Sequence, residues 1–159
     1  MPLDNEDKQA WCNLGERAEK RFAGPLFSGG VAIFANPEKL SNPFTHDLFI
    51  THPADLKTIR TPFLTSEKYG ISPHTAITLN VKDVQRYVEL YPRIIIIFDI
   101  EFEGFKSIRY AGLHEILRAI KTGVAKIHTY KNRVNDDQGN AKASYVLNAL
   151  WFAELTRYE

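Results

Sequence analysis

Ile94 to Phe98 reads IIIIF without a polar interruption, and the run then alternates through Asp99, Ile100, Glu101 and Phe102. Continuous β-branched character belongs to a strand covered on both faces, so the chain must supply layers on either side of it. That requirement points to α/β architecture, with a mixed central sheet flanked by helices. A length of 159 residues suffices to bury such a core, and a single domain over residues 1–159 is expected.

The rest of the pattern supplies the layers. Ala10, Trp11, Leu14, Ala18 and Phe22 recur at spacings of three and four, which predicts an amphipathic helix from Asn5 to Phe22, ended by Gly24-Pro25. GGVAIFA (29–35), DLFIT (47–51) and ADLKTIR (54–60) read as strands, the last two as a hairpin turning at His52-Pro53. Residues 61–75 are rich in turn formers and predict a loop able to close over a site. Val84, Tyr87, Val88 and Tyr91 share one helical face before Pro92, LHEILRAIK predicts a further helix closed by Gly123, and VAKIHTY and ASYVLNALWF are late strands.

Several classes are excluded early. The five-residue apolar run IIIIF is far short of a membrane span, and the acidic, polar start MPLDNEDKQA lacks the form of a secretory signal. Cys12 is the single cysteine, so no intrachain disulfide can form; the cytoplasm is the expected setting, with no membrane partner. The histidines at 46, 52, 74, 114 and 128 lack the partners and spacing of a zinc site, and FSGGVA lacks the Lys-Ser/Thr of a phosphate loop.

Net charge is only +1, but it is unevenly spread: between Phe105 and Tyr145 eight Lys or Arg stand against three Asp or Glu. Lys121, Lys126, Lys131, Arg133 and Lys142, interleaved with His128 and Tyr130, suit contacts to a phosphate backbone, and equally suit ordinary solvated positions.

Side chains two apart on a strand share a face, so Asp55 and Lys57 point the same way, and the expected hairpin brings Asp47 beside them. Such a cluster needs a mutual ion pair or a cation to offset its burial. A hard cation such as Mg2+ takes one or two carboxylates plus water and phosphate oxygens, which Asp47 and Asp55 can supply, while Lys57 suits positioning or activating an attacking water. The plainer account is a same-face ion pair on a surface strand, with Asp47 as a polar strand end and with Glu16 and Glu19 on a solvated helix face.

Gly15-x-x-x-Glu19 on the first helix, Asp47 heading a strand, and Asp55-Leu56-Lys57 on the next come in an order that resembles the PD-(D/E)XK nuclease superfamily. His46 stands where the motif's name has Pro, and Asp55 where Glu is commoner. The resemblance implies a restriction-endonuclease-like core and a Mg2+-dependent endonuclease, with Mn2+ able to substitute, that hydrolyses DNA by attack of a metal-activated water. It implies Asp47 and Asp55 as metal ligands, Lys57 beside the water and Glu19 supporting the metal shell. Many enzymes of that superfamily cut as dimers, so it also brings in a homodimer. Gln85 and Tyr87 lack the Gln-x-x-x-Tyr spacing of some DNA-end-processing members, and no role attaches to them. A non-catalytic nucleic-acid-binding or assembly module on the same fold is the alternative. A third reading is a protein-interaction domain using Phe63, Tyr69 and the last segment.

Overall fold

The computed structural model describes residues 13, 17, 26–27, 31–42, 44–130 and 142–155. They fall into two compact units that divide between His52 and Pro53. Of the helix expected over Asn5 to Phe22, Asn13 and Arg17 are described, and both are helical.

In the first unit β1 (Leu26–Phe27), β2 (Val31–Ala35) and β3 (Leu48–Thr51) form an antiparallel sheet in that order, with Ala35 opposite Leu48. The connection from β2 to β3 is organised by Asn36, which is buried. Its side chain accepts from the Glu38 N–H to cap the 3-10 turn Pro37–Leu40, and donates to the His46 carbonyl at 2.9 Å. An Asn cap followed by Pro is a favoured opening for a helical turn, because the side chain satisfies a free donor and Pro lacks one.

The second unit begins with β4 (Ala54–Ile59) and continues through β5 (Ala76–Asn80), α1 (Val81–Leu90), β6 (Ile95–Phe102), β7 (Phe105–Gly112) and α2 (Leu113–Lys121). It closes with β8 (Lys126–Thr129), β9 (Ala143–Asn148) and β10 (Ala153–Glu154). One sheet runs β10-β7-β6-β4 and is mixed, since β4 lies parallel to β6 while β7 lies antiparallel to it. The other, β5-β9-β8, is antiparallel. The chain is thus α/β with a mixed sheet, as its pattern predicts. β1, β5, β7 and β10 are not among the strands read from that pattern.

The core explains the layering. Ile96, Phe98, Ile100 and Phe102 of β6 are buried together with Val84 and Tyr87 of α1, Leu113 and Ile116 of α2, and Ile77, Leu79 and Leu147 of the second sheet. β6 therefore buries one face fully, whereas Ile95 and Ile97 on the other are half-buried and Leu56 beside them is exposed. Coverage of both faces, expected from IIIIF, is complete on one side only, among the described residues. The β6–β7 hairpin turns at Gly104, whose φ of 81° is strained for residues with a β-carbon, and α2 ends at Gly123 with φ 72° and its N–H on the Ile120 carbonyl.

The hairpin expected at His52-Pro53 does not form. β3 takes β2 as its partner and β4 takes β6. Two-residue hairpin loops require at least one positive φ, whereas Pro53 is locked near −65° and holds His52 in extended backbone. Parallel pairing of β4 with β6 instead sends the chain through a crossover that contains α1.

Candidate active site

β4 supplies the first half of the site. Its burial alternates, with Asp55, Lys57 and Ile59 turned inward and Ala54, Leu56 and Thr58 outward. The inward residues stand in register with Ile96, Phe98 and Ile100, so the acid and the ammonium share the core-facing side of an edge strand.

α1 supplies the second half. Asp83 and Tyr87 lie four residues apart and so share one helical face, about 6 Å along the axis. Asp55 and Lys57 are separated by about 6.7 Å along the strand. The two spacings match, and the side chains close on each other as a two-by-two clasp. Tyr87 donates its hydroxyl to Asp55 Oδ2, and Lys57 Nζ donates to Asp83 Oδ2 at 2.8 Å. Lys57 also lies 3.1 Å from Asp55 Oδ2, and Arg86 Nη2 lies 3.0 Å from Asp83 Oδ1. The pairing of the earlier strand residue with the later helix residue shows that α1 runs back against β4, as a parallel crossover requires.

The electrostatics follow from this geometry. Burial alone would raise the Asp55 carboxyl, but the Tyr87 hydroxyl and the Lys57 ammonium outweigh it and hold it below its ordinary value. Burial opposes the charge on Lys57 too, yet hydrogen bonding with Asp83, Tyr87 and Asp55 keeps its ammonium well above the ordinary lysine range. Tyr87 is pushed up by burial and by the carboxylate beside it. At neutral pH the site is carboxylate, ammonium and neutral phenol.

Tyr87→Phe should therefore raise the Asp55 pKa, because it deletes a donor to the carboxylate and leaves the desolvation in place. A depressed carboxyl contributes stability above its unfolded value of 3.8, and that contribution is lost as pH falls through the lower folded value. The variant should accordingly start its acid unfolding at higher pH, with a loss at neutral pH of about 1–2 kcal/mol for the missing charge-assisted bond. Carboxyl-carbon NMR titration of Asp55 checks this; an unmoved pKa would show that Tyr87 does not set it.

Asp47 belongs to the first unit, where its side chain is 49% exposed and paired with Lys39, and its carbonyl accepts from the Asn36 N–H at 2.9 Å. Glu19, Lys131 and Arg133 lie outside the described residues. Lys121 closes α2, Lys126 opens β8 and Lys142 precedes β9, all three exposed. The Lys142 carbonyl accepts from the Tyr130 N–H at 3.0 Å, one residue beyond the paired Thr129 and Ala143. The structure thus joins Asp55 to Lys57 and adds Asp83, Tyr87 and Arg86, for which the sequence pattern predicts no role at a site. Their signal is the i,i+4 acid and tyrosine on the helix that follows the Lys strand.

One oxygen of Asp55 is engaged by Tyr87 and Lys57; Oδ1 has no hydrogen-bond partner among the described residues, and the side chain is 30% exposed. That donor suits a hard cation, which takes one or two carboxylates and fills its shell with water and phosphate oxygens. Both oxygens of Asp83, by contrast, are taken by cations. Among the described residues no group of three or more His, Cys, Asp or Glu side chains is placed to hold a metal ion. No helix among them is long and apolar enough to cross a membrane.

No protein-family model matches the sequence, and no curated protein matches it. Among solved structures the chain is similar to a nuclease from a fusselovirus, over 98% of this chain and 90% of that one, at 14% identity and with a TM-score of 0.41.

Proposed function

We propose that this chain is a nuclease that hydrolyses DNA phosphodiester bonds with the help of a divalent cation, Mg2+ or Mn2+, on a restriction-endonuclease-like core. The observation that carries the reading is the Asp55–Lys57 pair on one face of an edge strand, clasped by Asp83 and Tyr87 yet still open to solvent at 30% and 24% of the two side chains. Converging polar partners would satisfy a structural ion pair equally well; solvent access at both charges is what would let this pair meet a phosphate.

Asp55 would hold the cation through its free oxygen. When bound, the cation neutralises phosphate charge and makes an attacking water more acidic. Lys57, kept charged by its partners, orients that water as a donor and offsets the charge that develops on the phosphate oxygens. It does not serve as the base. Tyr87 fixes the Asp55 carboxylate plane, and Asp83 fixes the Lys57 ammonium. Asp47 and Glu19 stay assigned to the metal shell on the strength of the sequence pattern alone, as Lys121, Lys126, Lys131, Arg133 and Lys142 do to the DNA backbone.

The test is incubation of the native protein with supercoiled plasmid and with short linear and branched DNAs in Mg2+, Mn2+ or EDTA. Cutting in either metal and none in EDTA is the expected result. Binding of these DNAs without cutting would move the conclusion to a nucleic-acid-binding module on the same fold.

A further inference from the structure

Asp83 divides its carboxylate between two cations. Oδ2 takes Lys57 at 2.8 Å and Oδ1 takes Arg86 at 3.0 Å, with 16% of the Asp83 side chain exposed. Two cations drawn to one acid repel each other, so the shared carboxylate is what keeps both charges in one small patch. The role of Lys57 follows from the cleavage reading, but Arg86 has none there.

Arg86 is built differently from an ordinary surface arginine. Its guanidinium lies 5.3 Å from the centre of the Tyr87 ring, and Tyr87 itself is buried and bonded to Asp55. The ring and the Asp83 carboxylate fix the guanidinium on two sides, while 51% of the side chain stays exposed. As a stabilising contact an exposed i,i+3 ion pair is worth only a few tenths of a kcal/mol. As a recognition group, a fixed planar guanidinium with spare N–H donors suits two oxygens of one phosphate.

We propose that Arg86 binds a backbone phosphate of the DNA next to the one at Lys57, and that Asp83 is the positioning residue that holds both cations on that phosphate track. The inference rests on the nuclease reading for the place of Lys57. Asp83→Ala should free Arg86 and leave Lys57 held by Asp55 alone, whereas Arg86→Ala should remove only one phosphate contact.

The experiment measures binding of a short fluorescent duplex DNA in EDTA, as a function of salt, by native protein, Arg86→Ala, Arg86→Lys, Asp83→Ala and Asp83→Asn, with thermal unfolding of each. Arg86→Ala is expected to weaken binding about 10-fold at low salt and to reduce the slope of log affinity against log salt by about 1. Arg86→Lys should restore the slope, since it restores the charge. Asp83→Ala should weaken binding similarly and also slow cleavage of saturating DNA, while Asp83→Asn, which keeps an acceptor and supports the fold, should recover part of both. An unchanged slope in Arg86→Ala, or an Asp83→Ala effect confined to the melting temperature, overturns the proposal. Native protein that binds DNA but never cuts it, with the slope still reduced in Arg86→Ala, retains the phosphate contact and removes the nuclease reading. Native protein that binds no DNA removes both.

Discussion

Lys57→Ala is expected to slow metal-dependent DNA cleavage at saturating DNA by about 10²–10³-fold, the usual cost of losing one preorganised charge-stabilising donor. The cause is local. Lys57 Nζ lies between Asp55 and Asp83, at 3.1 and 2.8 Å, and deleting it leaves two carboxylates facing the place where phosphate oxygens would gain charge. The fold should tolerate the change. Asp83 keeps Arg86, Asp55 keeps Tyr87, and a pair this open to water contributes about 1 kcal/mol or less. Lys57→Arg should recover some of the rate by restoring charge, but not all, because a longer planar group cannot place a point charge between the same two acids. Single-turnover plasmid cleavage beside thermal unfolding separates the effects. A folded Lys57→Ala protein that cuts at the native rate would take Lys57 out of the reaction.

Half of this site was legible in the sequence. Period-two alternation sets Asp55 and Lys57 on one face whatever β4 pairs with, and the structure places them there. The other half was not, because it depends on the crossover. Tyr87 reads correctly as a core residue from its helical spacing, and at 1% exposure it is one. That its hydroxyl ends on Asp55 follows only once β4 and β6 are parallel and α1 is forced to run back against β4. Asp83 carried even less signal, since an acid in the first turn of a helix is explained by the helix dipole alone.

The same distinction separates the strands that could be read from those that could not. β2, β3, β4, β6, β8 and β9 announce themselves by alternation or by β-branched runs, and α1 and α2 by apolar spacing closed at Pro92 and Gly123. Pairing is another matter. β3 and β4 are separated by two residues, yet β3 pairs with the strand before it and β4 with β6 far along the chain, because Pro53 denies the turn a positive φ and β6 offers β4 an apolar neighbour. β5 is five residues with a threonine at its centre, directly after a long turn-rich segment, and only its burial between α1 and β9 makes it a strand.

The largest effect on stability is expected at Phe98. It is fully buried, lies beside Lys57 in register on β6, and stacks on Phe152 with ring centroids 5.8 Å apart and planes 15° from parallel. Phe98→Ala removes an aromatic ring from the centre of the core and should cost about 3–5 kcal/mol, a large share of a domain stability of about 5–15 kcal/mol. Urea unfolding should show a lowered midpoint with an unchanged m value, and Phe98→Leu should recover more than half of the loss. A cost under about 1 kcal/mol would mean that the core closes over the gap and that β6 does not anchor the sheet as its burial indicates. Phe98 has a second consequence, through the edge strand. β4 is hydrogen-bonded to β6 alone in its sheet, among the described residues, so the ring under β6 also supports the backbone that carries Asp55 and Lys57. If that support is only thermodynamic, cleavage by Phe98→Ala should fall in step with the unfolded fraction and recover on cooling. If activity vanishes while the protein is still folded, the clasp between β4 and α1 depends on a packed Phe98 to keep its two spacings matched.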